Sequence, residues 1–253
     1  MSAAVGFIPA RLGSTRFPGK VLADRTGMPL IRHVWESARG AKSLTRLVVA
    51  TDDERVAESA RGFGAEAVLT GADHPNGTSR IAEAAAKLGL EDDRLVVNVQ
   101  GDEPELEPGV IDESVRSLLA LEGAGACVGT CASPMDPGEN AGDPNVVKVV
   151  RDRRGMAMYF SRAEIPFDRD AAGSIVRLRH VGVYAYRRAF LERYLRMEPT
   201  DAERAERLEQ LRVLEHGHGI AVGVYKTRQT GIDTPEQYTA FVERWRSRRA
   251  GGA

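Results

Sequence analysis

Short apolar runs alternate with longer stretches of helical periodicity along the amino-terminal part of the chain, and this alternation constrains the fold more than any other feature. Val5–Ile8, Leu47–Ala50, Ala67–Leu69 and Leu95–Val99 read as strands. Between them, the spacing predicts a helix that begins near Pro29 and buries Leu30, Ile31 and Val34. A second runs between Asp53 and Gly64 on Val56, Ala57, Ala60 and Phe63, and a third from Thr78 to Leu88 on Ile81, Ala85 and Leu88. Strands that alternate with helices need crossover connections, so the expected architecture is α/β, an open and mainly parallel sheet covered by helices. At 253 residues the chain is long enough for one large domain, or for a domain that carries an inserted segment.

Residues Ile8 to Lys20, directly after the first strand, read Ile-Pro-Ala-Arg-Leu-Gly-Ser-Thr-Arg-Phe-Pro-Gly-Lys. Open α/β sheets place ligands at the carboxyl ends of their strands, which favours a polyphosphate-binding loop over an exposed basic turn. Gly13 and Gly19 permit backbone conformations that turn peptide N–H groups toward phosphate oxygens. Arg11, Arg16 and Lys20 supply the countercharge, arginine as a planar fork and lysine as a point charge. The loop differs from that of the common ATPases and GTPases: five residues separate Gly13 from Gly19, and Val21, not Ser or Thr, follows Lys20. The usual magnesium-binding hydroxyl is missing there, so metal ligands have to come from elsewhere.

One source follows Val99, where Gln100-Gly101-Asp102-Glu103-Pro104 sets polar groups at the carboxyl end of a strand. Asp102 is a candidate ligand for a hard cation, and the alternative is a backbone cap in a turn. Arg80 falls in the first turn of the third helix, where a cation opposes the helix dipole; it reads either as a ligand contact or as an exposed solubilising arginine. Near the carboxyl end, Thr234-Pro235-Glu236-Gln237 supplies an N-cap, a proline at the first helical position and Gln at the capping-box position. Asp233 precedes that cap, as a local cap or as a second metal ligand.

The formal net charge of -1 gives no global attraction to nucleic acid or to an anionic membrane, so anion binding has to be local. No stretch approaches the ~20 apolar residues of a membrane span, and the expected setting is the cytoplasm. The two cysteines, Cys127 and Cys131, are expected as reduced core residues on one strand face. Gly62-x-Gly64-x-x-Ala67 resembles a dinucleotide fingerprint, but it follows a helix and leads into a strand, the reverse of the required order.

Pro, Gly, Asp and Asn accumulate between Pro134 and Pro144, a candidate linker. Beyond it, Val146–Val150 and Met156–Phe160 flank a glycine-containing turn and predict a hairpin. Arg177–Arg187 reads as a strand with His180, Gly182, Tyr184 and Tyr186 on one face. From Asp201 to Glu215, acids and bases surround Leu208, Leu211 and Leu214, which predicts a helix with a solvated face. The segment at about 134–215 is therefore expected as a β-rich excursion from a single domain spanning residues 1–253, completing a pocket or pairing two subunits.

Ile-Pro-Ala-Arg-x-x-Ser-Thr-Arg-x-Pro-Gly-Lys, Val-Asn-Val-Gln-Gly-Asp-Glu-Pro, Tyr-Phe-Ser-Arg, Leu-Glu-Gln-Leu-Arg-Val-Leu and Gly-Ile-Asp-Thr-Pro-Glu, in this order over nearly the whole chain, resemble the 3-deoxy-manno-octulosonate cytidylyltransferases. The resemblance implies a Rossmann-like nucleotidyltransferase fold and transfer of CMP from CTP to Kdo, an eight-carbon acidic sugar, with release of pyrophosphate. It also implies Mg2+ as cofactor, a homodimer and a place upstream of lipopolysaccharide assembly. Carried onto matching positions, it places Arg11, Ser14, Arg16 and Lys20 in the phosphate loop, Arg80 and Gln100 at the nucleotide, and Asp102 and Asp233 on the metal. Arg162, His180, Tyr184, Glu209 and Gln210 then fall on the sugar side. For His180 the residues leave a second reading, a buried hydrogen bond between strands. Two departures bear on sugar specificity: Ser79 stands where Glu commonly precedes the arginine, and Phe167 where Trp is frequent. The remaining alternatives are transfer of a nucleotide to another acidic sugar, such as a sialic acid or an amino-substituted Kdo, and a noncatalytic nucleotide-sensing module.

Overall fold

The computed structural model describes residues 3–14, 16–170, 175–228 and 231–250. The fold is mixed α/β, and the chain divides into two compact units, Met1–Leu90 with Asn98–Pro108 and Gln229–Ala253, and Glu91–Val97 with Gly109–Arg228.

In the first unit, β1 (Ala4–Ala10), β2 (Leu44–Thr51) and β3 (Glu66–Leu69) lie in the order β3-β2-β1, all parallel. The apolar residues of β1 and of the carboxyl half of β2 are buried on both faces, as helix-covered parallel strands require, and Phe7, Ile8, Val48 and Val49 are fully inaccessible; β3, at the edge, is only partly covered and leaves Leu69 exposed. The covering helices are α1 (Leu30–Ala38), α2 (Glu54–Gly62) and α3 (Gly77–Lys87). Asp53 caps α2 by accepting from the Arg55 N–H, and Asn76 caps α3 by accepting from Ser79 at 2.9 Å. The proline-led helix predicted near the carboxyl end runs from Pro235 to Ala250 (written α8 below, since it comes last). Gln237 Oε1 accepts the N–H groups of Asp233 and Thr234 at 2.6 and 3.1 Å, and Thr234 Oγ1 accepts that of Gln237 at 3.3 Å, closing the capping box. Behind the cap, Ile232, Tyr238, Phe241 and Val242 pack with Leu30, and Phe17 and Ala23 cover this cluster.

The second unit holds β4 (Leu95–Asn98), α4 (Pro108–Leu121), β5 (Ala126–Pro134), β6 (Lys148–Arg151), β7 (Ala157–Ser161), β8 (Leu178–Arg187), α5 (Arg188–Leu195), α6 (Asp201–Glu206), α7 (Gln210–Glu215) and β9 (Gly219–Val224). Its main order is β4-β8-β5-β9, parallel between β5 and β9 and antiparallel between β5 and β8. The predicted hairpin is β6–β7, and β6 also pairs with β8. The β5–β8 register slips between Thr130↔Tyr184 and Cys131↔Val181, a bulge that Thr130 fills by donating its hydroxyl to Val183 O at 2.7 Å. Cys131 is fully buried and Cys127 half-buried, both as free thiols.

The charged stretch from Asp201 to Glu215 differs from the expected single helix. It is broken at Arg207, whose φ of 54° and ψ of 47° are left-handed, so α6 ends and α7 starts afresh three residues on. A non-glycine residue there costs about 1 kcal/mol or more, and neighbouring contacts have to sustain it. Charge alternation reports a solvated face but carries no trace of such a break.

Phe241→Ala is expected to destabilise the protein by about 3–5 kcal/mol, because it empties the centre of the cluster that anchors α8. Urea denaturation followed by circular dichroism checks this; an unchanged midpoint would mean that the cluster does not anchor the helix.

Candidate active site

The loop after β1 is folded by its own backbone. Leu12 O accepts the N–H groups of Ser14 and Gly19, each at 3.0 Å, and Ser14 Oγ accepts that of Phe17 at 3.4 Å. Gly19 takes a φ of 72°, the left-handed region that glycine enters without penalty, and a single 3-10 turn, Lys20–Leu22, follows. Phe17 ties the loop to α8 through the Tyr238 ring, with centroids 5.6 Å apart. Thr15 of the motif lies outside the described residues.

Asp102 reaches the same place from another strand end. The Val99 N–H donates to Phe7 O at 2.9 Å, which keeps the chain beside β1, and the backbone then turns at Gly101. A β-carbon on Gly101 would lie 2.7 Å from Pro9 O, so only glycine lets this turn close onto the end of β1. Asp233 arrives from the carboxyl-terminal segment, where the Ile232 N–H donates to Asp102 O at 2.8 Å and the Ile232 side chain is buried in the α8 cluster.

The two aspartates meet at one cation. Lys20 Nζ lies 2.8 Å from Asp102 Oδ2, 3.2 Å from Asp233 Oδ1 and 2.8 Å from Ile232 O. Arg16 closes the group from outside, 2.9 Å from Asp233 Oδ2. The lysine side chain is only 11% exposed, against 31% for Asp102 and 39% for Asp233. The ammonium is therefore sheltered, while both carboxylates open to solvent. Their oxygens form a hard donor set converging on one positive point. Among the described residues no group of three or more His, Cys, Asp or Glu side chains could hold a metal ion. Two carboxylates suit a magnesium ion that takes its remaining ligands from phosphate and water, because Mg2+ keeps few protein ligands.

The other nucleotide-side residues are placed differently. Arg11 is exposed, and Gln100 Nε2 donates to Asn98 Oδ1 at 3.4 Å. Arg80 is only 3% exposed, and its guanidinium donates to Thr70 Oγ1 at 2.6 Å and Gly71 O at 3.3 Å and stands 3.4 Å from Asp52. It fastens the ends of β2 and β3 to α3, which rules out the exposed solubilising role.

In the second unit, β8 carries two of the residues that the sequence resemblance assigned to the sugar, His180 and Tyr184, and Tyr184 joins them to Gln210. His180 and Tyr184 have ring centroids 5.5 Å apart, and the Tyr184 hydroxyl donates to Gln210 Oε1 at 3.1 Å. Gln210 Nε2 is buried without a partner among the described residues, an amide donor facing a polar demand that the folded chain does not meet. The Tyr194 hydroxyl lies 3.5 Å from Glu209 Oε2. Arg162 donates from Nε to Glu206 O at 2.6 Å, from Nη1 to Pro144 O at 2.8 Å and from Nη2 to Arg207 O at 3.4 Å. Three of its five N–H donors go to backbone carbonyls, and the other two have no partner among the described residues.

His180 lies against Phe160 and 3.0 Å from Thr130 Oγ1. The single Thr130 hydroxyl proton is spent on Val183 O, so the imidazole carries its proton on Nε2 and donates to Thr130. Burial pushes its pKa down to about 3, and the ring is neutral at physiological pH. It can orient a ligand by hydrogen bonding but cannot neutralise a carboxylate.

Sequence reasoning missed Ile232 O as the third acceptor of Lys20, and it missed two residues around Arg162, Lys148 and Glu206. The lysine inside Val-Val-Lys-Val-Val was the available signal, a charge within an otherwise apolar strand.

A parallel sheet with a cationic loop and paired carboxylates at its strand ends is an arrangement suited to nucleotidyl transfer. In agreement, the sequence model of the cytidylyltransferase family matches residues 5–226. A 3-deoxy-manno-octulosonate cytidylyltransferase from Syntrophobacter fumaroxidans is 50% identical over 239 residues, covering 94% of this chain and 95% of its own. One from Pseudomonas fluorescens is 49% identical over 244 residues, with 93% and 95% covered. Among solved structures, CMP:2-keto-3-deoxy-manno-octonic acid synthetase complexed with CTP matches at a TM-score of 0.88 and 36% identity, over 98% of this chain and 100% of that one. A cytidylyltransferase from Leptospira borgpetersenii, at 16% identity and a TM-score of 0.57, shares the fold. The chain belongs to the 3-deoxy-manno-octulosonate cytidylyltransferase family.

The depressed His180 pKa gives a prediction with a definite sign. The unfolded chain, with a histidine pKa of 6.5, binds a proton that the folded ring refuses down to about 3. The stabilisation from the neutral ring is complete above 6.5 and erodes as pH falls toward 3. Wild type should therefore lose more melting temperature than His180→Gln between about pH 7.5 and about pH 5. Equal losses in thermal scans would contradict the assignment.

Proposed function

We propose that this protein transfers CMP from CTP to 3-deoxy-manno-octulosonate, forming CMP-Kdo and pyrophosphate. The observation that carries this reading is the convergence of Asp102 and Asp233 on Lys20 beside the cationic loop, in a chain alike its relatives over nearly its full length. The C2 hydroxyl of the sugar attacks the α-phosphorus; the new oxygen–phosphorus bond forms as the bond to pyrophosphate breaks.

In this reading Arg11, Arg16 and Lys20 meet the triphosphate and stabilise the charge that builds on the leaving pyrophosphate. Lys20 has two uses. Without nucleotide it neutralises the paired carboxylates; turned to the phosphates, it would leave both aspartates available to hold Mg2+. When bound, magnesium supplies Lewis-acid polarisation of a phosphate oxygen and lowers the pKa of the attacking hydroxyl. Asp102 and Asp233 hold that ion, and Ser14 and Gln100 line the nucleotide's path. On the sugar side, Gln210 offers its unpartnered Nε2 donor, Tyr184 and Glu209 take part in hydrogen bonding, neutral His180 offers Nδ1 as an acceptor, and Arg162 gives its two remaining N–H groups to the sugar carboxylate.

The same reading carries a homodimer, a cytoplasmic setting and supply of lipopolysaccharide assembly. Exposed apolar side chains at Met158, Tyr159, Phe167 and Val176 support a protein contact on the excursion. No helix among the described residues is long and apolar enough to cross a membrane.

Incubating purified protein with CTP and Kdo, with magnesium omitted from a matched reaction, should yield CMP-Kdo and pyrophosphate only with the metal; turnover of a sialic acid or amino-Kdo in its place would shift the acceptor. Asp102→Asn and Asp233→Asn should each lower kcat by about 10²–10³, the scale for removing a preorganised charge, while unfolding free energy moves by less than about 1 kcal/mol at these solvent-open positions. Lys20→Ala should lower kcat/KM for CTP by about 10–100-fold. Normal magnesium-dependent turnover in both aspartate variants would remove the metal assignment.

A further inference from the structure

Lys148, the first residue of β6, is completely inaccessible to solvent, yet no carboxylate among the described residues touches its ammonium. Nζ instead donates to Asp143 O at 3.0 Å, Val146 O at 2.5 Å and Arg162 O at 2.6 Å, so its three protons meet three backbone carbonyls. Burying an ammonium costs several kcal/mol, and a methionine of similar shape would fill the space without that cost. What the lysine supplies and a methionine would not is a set of hydrogen bonds joining both ends of the 143–146 loop to the Arg162 carbonyl just past β7.

That tie runs into the sugar-side residues from three directions. Val147 O, one residue before Lys148, accepts the His180 N–H at 2.8 Å. Arg162, whose carbonyl Lys148 holds, clasps Pro144 O of the same loop and Glu206 O and Arg207 O of the break between α6 and α7. Glu206 returns the contact, its carboxylate accepting from Ser161 Oγ at 2.6 Å and the Arg162 N–H at 2.9 Å. Leu208, Glu209 and Gln210 follow that break directly, so the left-handed Arg207 that aims them is held from Arg162. Burial lowers the lysine pKa, but carboxylates at Asp143, Glu164 and Glu206 oppose the shift, which fits an ammonium retained for its hydrogen bonds.

We propose that Lys148 is a positioning residue for the acidic sugar: it locks the 143–146 loop, Arg162 and the 206–210 turn into one shelf that fixes Arg162, His180, Glu209 and Gln210 for the acceptor, without touching it. The inference rests on the acceptor reading above. The residues assigned to the nucleotide under the proposed function belong to the first unit, so KM for CTP serves as the internal control.

The test is Lys148→Met in the full-length protein, with KM for Kdo and for CTP measured separately and backbone hydrogen exchange followed by mass spectrometry. The expected result is a rise of roughly tenfold or more in KM for Kdo, with KM for CTP within about twofold of wild type, and faster exchange in 143–147 and 206–210. Unchanged KM for Kdo in a folded variant, equal losses toward both substrates, or unchanged exchange in those segments would each overturn it. If Lys148→Met does not fold, Glu206→Ala decides, because it cuts the same shelf at a partly exposed residue and should give the same Kdo-selective rise; a normal KM for Kdo there would overturn the proposal. Failure of wild-type protein to use Kdo would sink the acceptor reading on its own, and the exchange pattern would still report on the shelf.

Discussion

Two carboxylates held close together repel unless a cation stands between them, and the first unit is organised around meeting that demand. The ammonium of Lys20 bridges Asp102 and Asp233 and takes a carbonyl as its third acceptor. Everything that fixes those three side chains is ordinary folding chemistry. A glycine turn closes onto the end of β1, one backbone hydrogen bond joins Ile232 to Asp102, and a capped helix drives Ile232 into an apolar cluster. The cluster of charges is thus assembled by uncharged contacts, which are stronger and insensitive to salt.

The second unit applies the opposite economy. There the charges serve the backbone: Lys148 and Arg162 spend most of their donors on carbonyls, and Arg162 supports a left-handed residue that a helix would not tolerate. Half of the Gln210 amide is used in the same way, its oxygen accepting from Tyr184, while Nε2 is buried without a partner among the described residues. Most buried polar atoms in a folded chain are satisfied, and this donor is what the proposed function assigns to the acceptor sugar.

Much of the scaffold was legible in the sequence, because the signals concerned are local. The alternation of strands and helices, the proline-led capping box at Thr234 and the hairpin around Gly155 follow from periodicity and turn chemistry within a few residues. The loop cations and the aspartates were legible as candidates, since strand ends in such sheets are where ligands gather. What was not legible depends on partners far away in the chain. Arg80 reads the same whether it faces solvent or is buried against Thr70 and Asp52, and the break at Arg207 leaves no mark in the charge pattern because Arg162, its support, lies far earlier in the chain, just past the end of β7. Lys148 left one visible clue, a charge among valines, whose meaning needs the carbonyls that surround it.

The order in which the carboxylate pair is assembled has a consequence for synthesis. Asp102 and the cationic loop leave the ribosome early, but Asp233 and the helix that seats it come last, and domains emerge amino-terminus first. A chain that has emerged only as far as β9 lacks half of the pair, and under the proposed function it gains its second metal-binding carboxylate only when the segment from Ile232 onward has docked.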